Sequence, residues 1–420
     1  MTRPSLVLIG LALLTGCSGG GGGDSSTTSS PPPSTSTAQP DMLTATPQGL
    51  LRGKANGQGQ QLLLARPHSD FYQYKISGDQ VYYYKEAPSS YLDYPNRDIW
   101  SVRTDGTSDH AVINTPANEF VFATNGPVVM VAQSTYDLGV NNGFYSLHEG
   151  ALVPLPIPNQ DGLTTLNMIR GDRIYFHDER HISSINANGS GLLIHATVLY
   201  PAELRMNDIV EDTLIFREYL DVTGKATLQA APITGGMSTS LDDGSHYVAY
   251  AGHVGARVIS QRCAIDSNYP LEPRAGPCDV VSVHRNGSSP VVLASHSANE
   301  TVQGVMDEQV IIRRNLSGND QLIAVPVTGG AERLLMTMTD SEFVETVIDD
   351  LLIVRRPSGT WTLDLNAKLT QLGTVALDFN IVEVGSSVCG NTVNAVWCLP
   401  LDGQGPQVKI ADTGRVVGVL

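Results

Sequence analysis

Along most of this chain apolar and polar residues alternate singly, the period of a strand whose two faces meet different surroundings. Short β-prone runs recur, among them Val81-Tyr82-Tyr83-Tyr84, Ile174-Tyr175-Phe176, Leu214-Ile215-Phe216, Val310-Ile311-Ile312 and Leu351-Leu352-Ile353-Val354. Each follows an acidic or glycine turn: Ser77-Gly78-Asp79, Arg170-Gly171-Asp172, Glu211-Asp212, Met306-Asp307-Glu308 and Asp349-Asp350. A second turn closes each period, at Asp105-Gly106, Glu149-Gly150, Asn188-Gly189, Gly235-Gly236, Asn286-Gly287, Gly329-Gly330, Asn366-Ala367 and Asp402-Gly403. Most of these pairs accept the positive φ of tight hairpin turns. Successive markers lie roughly 36 to 51 residues apart, room for four short strands and their turns. No long stretch with helical periodicity follows the first 17 residues.

Four strands per period, repeated eight times between residues 71 and 411, predict an all-β chain folded as a single β-propeller of eight blades. Discounting one weak unit would leave seven. A solenoid would use shorter repeats or helices, and one sandwich could not hold about 32 strands. Trp100, Trp361 and Trp397 each lie six residues before the second position of a closing turn, and Phe144 holds the same place in its unit. Alternation therefore predicts that all four rings share one face, packed between sheets. The tail Arg415-Val416-Val417-Gly418-Val419-Leu420 reads as a strand that closes the ring near Leu62-Leu63-Leu64. Residues 48–70 are otherwise ambiguous, apart from a strand at Gln61-Leu62-Leu63-Leu64-Ala65.

Arg3, the apolar run Leu6 to Leu14, and Leu14-Thr15-Gly16-Cys17 resemble a bacterial lipoprotein signal peptide. The apolar run is about half the length that spans a bilayer. The resemblance implies removal of residues 1–16 and acylation of Cys17, which becomes the membrane anchor. Ser18 after that cysteine implies sorting to the outer membrane. Residues 17–47 hold Gly19 to Gly23, a Ser/Thr run and Pro31 to Pro33, a composition that cannot bury a core and serves as a tether. About 30 such residues span about 30 Å. The propeller is then expected over 48–420.

With blades assigned, Asp98-Ile99-Trp100-Ser101-Val102-Arg103-Thr104-Asp105-Gly106-Thr107 resembles the repeats of TolB-type propellers. Arg173-Ile174-Tyr175-Phe176-His177-Asp178, through Ile182 to Gly191, is similar to the propeller repeats of low-density-lipoprotein receptors. Both families mostly bind proteins and both folds also host enzymes, so the resemblance implies the architecture and not the function.

A net charge of −16 excludes the basic surface that nucleic acid requires, and argues against electrostatic adhesion to anionic lipid. Of five cysteines, four remain beside Cys17 and fall into close pairs, Cys263 with Cys278 and Cys389 with Cys398. Disulfides suit an exported chain, whereas neither pair has the spacing of a zinc knuckle.

No nucleophile elbow, zinc-protease helix, phosphate loop or dinucleotide fingerprint is present, so no catalytic residue is assigned. His177-Asp178-Glu179-Arg180-His181 is the densest titratable cluster, making His177, Asp178 and His181 the candidate metal ligands. Asp79, Asp172, Asp212, Asp307 and Asp350 occupy equivalent turns and could line one face as a site for Ca²⁺ or a basic partner; Asp is also simply a good turn residue. The expectation is a membrane-anchored envelope scaffold or ligand-binding module with a protein or glycan partner, and no cofactor beyond the lipid. The alternative is a polysaccharide lyase or hydrolase using residues such as Tyr247, His253, Arg257, Arg313 and Arg355 at the channel mouth.

Overall fold

A computed structural model describes residues 40–65, 74–87, 96–115, 118–125, 128–135, 140–148, 151–157, 165–220, 225–264, 278–295, 300–316 and 319–420. The signal segment, Cys17 and residues 18–39 of the proposed tether lie outside them. The described residues contain no helix. They form nine antiparallel four-strand meanders, numbered here as sheets 1 to 9 around a ring. Sheets 2 to 9 occupy residues 75–113, 118–155, 165–197, 202–240, 247–294, 300–338, 343–373 and 379–411, the eight units legible in the sequence. A single backbone pair, Ala226 with Tyr247, links sheets 5 and 6 edgewise.

The ninth unit corrects the expected count. Sheet 1 is composite: the C-terminal strand Arg415–Val419 pairs with Asp41–Thr46, followed by Gly49–Lys54 and Gln61–Ala65. The tail therefore does close the ring in the sheet that holds Leu62-Leu63-Leu64. Its direct partner, however, is Asp41–Thr46, a strand inside the 17–47 segment assigned to the tether. Leu43, Ala45 and Leu50 are fully buried there, so six residues at the end of that segment belong to the core.

Each sheet is twisted and stacks on its neighbours through one apolar cluster. Nine clusters join sheets 1 and 2, 2 and 3, and so on to 9 and 1, which closes the circle. Second strands are buried on both faces, as in Leu351–Arg356, whose Leu352, Ile353 and Val354 are inaccessible. First strands touch the first strands of neighbouring sheets and stay half-exposed, as in Phe343–Ile348, so they surround the centre. Trp100, Trp361 and Trp397 do pack on inter-sheet clusters, each toward the preceding sheet. Phe144 does not share that face. Only two residues separate the paired His148 and Ala151, whereas Ser101 pairs with His110, so the register of sheet 3 slips by one. Tyr145 takes the tryptophan position, and Phe144 points into the cluster with sheet 4.

Both disulfides form, Cys263–Cys278 and Cys389–Cys398, each between directly opposed residues of a second and a third strand. Two further devices fasten sheet to sheet. The fifth residue of a second strand reaches the first strand of the next sheet: the Val121 amide donates to the Tyr84 hydroxyl, Arg217 donates to Tyr247, and Gln261 donates to the Glu300 carbonyl. Arg355 pairs with Asp378, and Asn391 bonds Gly414 and Val416. The second device is the glycine of the closing turn, which docks on the outer strand of the preceding sheet. A Cβ on Gly329 would stand 2.7 Å from Val291 Cγ1, and one on Gly403 would stand 2.5 Å from the Gln371 carbonyl oxygen. Their φ values, +85° and +68°, add the conformational demand for glycine. Gly57, Gly106, Gly189, Gly235 and Gly287 sit the same way.

Candidate functional site

First and closing turns share one face, because in six sheets the amide opening the closing turn donates to the first turn of its own sheet. Thr104 donates to Asp79, Ala187 to Asp172, Ile233 to Asp212 and Val327 to Glu308. This turn face is acidic for a conformational reason: Glu211, Asp307, Glu308 and Asp349 adopt positive φ where other sheets use glycine. Asp41 and Leu420 meet on this face too, the Leu420 amide donating to the Asp41 carbonyl at 2.8 Å.

The turn aspartates meet different partners. Asp79 pairs with Arg103, and Asp212 pairs with Arg285 of the next sheet. Asp307 and Asp350 are brought together. They line a cleft of about 680 Å³ between sheets 7 and 8. Sheet 7 contributes Asp307, Gln309, Ala331 and Arg333; sheet 8 contributes Asp350, Leu351 and the closing turn Asp364-Leu365-Asn366.

The turn beside this cleft differs from its counterparts. Position 367 holds alanine, at φ +61°, where seven described sheets carry a docking glycine. At Gly329 and Gly403 an added methyl group would stand within 2.7 Å of the preceding outer strand, so alanine in this place fits the close seating of those turns poorly. Asp364 is held by accepting from the Asn366 and Lys368 amides at 2.8 and 2.9 Å. Arg333, Asp307 and Asp350 are exposed and make no ion pair among the described residues. Opposite charges thus face each other across open space.

The other candidates are dispersed. Tyr247 and His253 stand near opposite ends of one strand, about 20 Å apart at strand rise. His253 lies 3.2 Å from Asp208 and from the Tyr250 hydroxyl, which donates to Asp208. Burial, and then the Asp208 carboxylate, push the Tyr250 hydroxyl well above the ordinary tyrosine range, so it stays a donor. Arg257 is held by Ser282 and Ser289, Arg313 by Asp320, and Arg355 by Glu345 and Asp378. These residues do not converge on one mouth. Near position 180, Asp178 accepts from the Arg180 and His181 amides and lies 3.1 Å from the His181 ring. His177 is held below the ordinary histidine range, first by burial and then by Arg205. Among the described residues no three His, Cys, Asp or Glu side chains form a metal-binding group.

No family model and no curated protein sequence matches the chain. Solved structures do resemble it. Dipeptidyl peptidase 4 of Porphyromonas gingivalis is 10% identical over 83% of this chain and 62% of its own, with a TM-score of 0.54. An oligogalacturonate lyase from Vibrio parahaemolyticus aligns over 77% of this chain and 98% of its own, at 10% identity and a TM-score of 0.41. TolB from Agrobacterium tumefaciens aligns over 55% of this chain and 85% of its own, at 13% identity and a TM-score of 0.30. The chain spans 55% of a prolyl endopeptidase and, as noted, 62% of the dipeptidyl peptidase. At these identities the likeness is one of fold, and the fold is the β-propeller.

Proposed function

We propose that this chain is a lipid-anchored propeller of the bacterial outer membrane that acts as a binding module, recruiting an envelope partner through its turn face. The observation that carries the reading is the cleft between sheets 7 and 8, the inter-sheet junction where alanine replaces the docking glycine. Sheets on both sides carry its polar groups, and Asp364 is fixed by the Asn366 and Lys368 amides, which lowers the entropy lost on binding there. Its three carboxylates and one arginine favour a partner group of net positive charge. The tether would emerge at Asp41, on the same face, and keep the module near the membrane at raised local concentration. Among the described residues, Tyr247, His253, Arg257, Arg313 and Arg355 do not gather into one site, so they lend the lyase or hydrolase alternative no support.

Two arms test this reading. Fatty-acid labelling of cells should mark the wild-type chain and leave Cys17→Ser unlabelled. Crosslinking pull-downs from membranes should recover a partner that is lost when Asp307 and Asp350 are both changed to Asn. An unlabelled wild-type chain removes the anchor, and a partner indifferent to the double variant removes the cleft as its docking point.

A further inference from the structure

We infer that the cleft between sheets 7 and 8 takes a zwitterionic ligand, specifically a basic α-amino acid, free or at the carboxyl end of a peptide. This rests on the cleft being the docking point proposed above and names the chemistry that fits it. One wall is mixed in charge and the other acidic. Arg333 projects from the outer strand of sheet 7, while Asp350 and Asp364 belong to sheet 8, with Asp307 at the first turn of sheet 7. Were these charges within 4 Å they would pair and draw the walls together; among the described residues Arg333 pairs with none of them.

The composition narrows the ligand further. One guanidinium matches one carboxylate, ideally in the two-pronged geometry that arginine offers. Three carboxylates favour a ligand with more positive than negative groups: free lysine or arginine brings an α-ammonium and a side-chain cation beside its single carboxylate, and a basic residue at a peptide's carboxyl end brings the side-chain cation beside its carboxylate. Leu351 and Leu365 supply apolar wall for the aliphatic stem between those groups. A purely cationic ligand would leave Arg333 opposed by a like charge, and a purely anionic one would face three carboxylates.

The test is titration calorimetry on the full-length chain with four probes: L-arginine, the peptide Gly-Gly-Arg, its carboxyl-terminal amide, and acetate. Binding is expected for arginine, for the peptide, or for both, which also tells the free ligand from the peptide end. Acetate should give no heat, and the amide should bind about tenfold more weakly, the loss expected for one charge-assisted pair. Arg333→Gln should abolish the difference between peptide and amide, weakening the carboxylate-bearing probes while the amide, relieved of a like charge, binds at least as well as to wild type. Asp350→Asn should weaken every cationic probe. Melting temperatures of both variants should match wild type, since both side chains are exposed.

Equal binding of peptide and amide, or indifference of the peptide to Arg333→Gln, would overturn the inference. So would silence from all probes at millimolar concentration. If the probes are silent while the Asp307/Asp350 variant still loses its envelope partner, the binding-module reading stands and the zwitterion falls alone.

Discussion

The side-chain amide of Asn391 grips the last strand of the chain. Its Oδ1 accepts from the Val416 amide at 3.1 Å, and its Nδ2 donates to the Gly414 carbonyl. Asn391 is fully buried, so these bonds have no water to replace them. Replacing it with alanine leaves a buried donor and acceptor unpaired at the point where the ring closes. The expected cost is about 1–3 kcal/mol, read as a lower denaturation midpoint. Hydrogen exchange should quicken first in Arg415–Val419.

The closing-turn glycine and its exception make opposite predictions. Gly329→Ala forces a methyl group against Val291 at φ +85° and should destabilise by about 1–3 kcal/mol. Ala367→Gly relieves a left-handed alanine and should stabilise by about 1 kcal/mol. Chemical denaturation of the two variants beside wild type checks both signs. A stabilising Gly329→Ala would contradict the docking role.

The two disulfides staple second to third strands in sheets 6 and 9, enclosing 15 and 9 residues of sequence separation. On the chain-entropy account each contributes about 2–3 kcal/mol, slightly more for the longer loop. Cys389→Ser with Cys398→Ser should therefore lower stability by that amount. The second bridge is buried against Met42 of the strand that pairs with the tail, so its loss should also loosen Asp41–Thr46 in hydrogen exchange.

Acid should weaken the fold through His195. This imidazole is buried between Tyr175 and Ser184, whose Oγ lies 2.7 Å from Nε2 while accepting from Arg173. With the imidazole neutral, the Ser184 hydroxyl can donate to an unprotonated Nε2. Burial, and secondarily Arg173, bring its value down from 6.5 to about 4. Because the folded value lies below the unfolded one, the full contribution is present above pH 6.5 and disappears as pH falls toward 4. The loss amounts to about 3 kcal/mol. Melting curves from pH 7 to 4 should be flatter for His195→Asn than for wild type.

Much of this architecture was legible because each blade repeats its turn chemistry. Val81-Tyr82-Tyr83-Tyr84 and its counterparts are the second strands, and the close cysteine pairs are cross-strand bridges. The ninth sheet was hidden because Asp41–Thr46 follows a low-complexity run and its partner lies at the far end of the chain. Phe144 misled because counting back from a turn assumes a constant loop length, and sheet 3 has a shorter one. The latch residues did leave a signal: Tyr84, Arg217, Gln261, Arg355 and Asn391 are polar or hydroxylated where a buried strand should end apolar. So did the cleft, since Asn366-Ala367 is the closing turn that lacks glycine altogether. What alternation cannot reveal is which exceptions a neighbouring sheet will turn into open space.

The most direct test places a photoreactive side chain at Asn366, on the cleft, and in a separate strain at Asn188, in the equivalent turn of sheet 4 where Gly189 docks. Both chains are expressed in the bacterial envelope, irradiated, and resolved by mass. A discrete adduct from position 366 and none from position 188 is the predicted result. Equal adducts from both positions, or none from 366 when the chain is lipidated and folded, would contradict the cleft as the working site of this propeller.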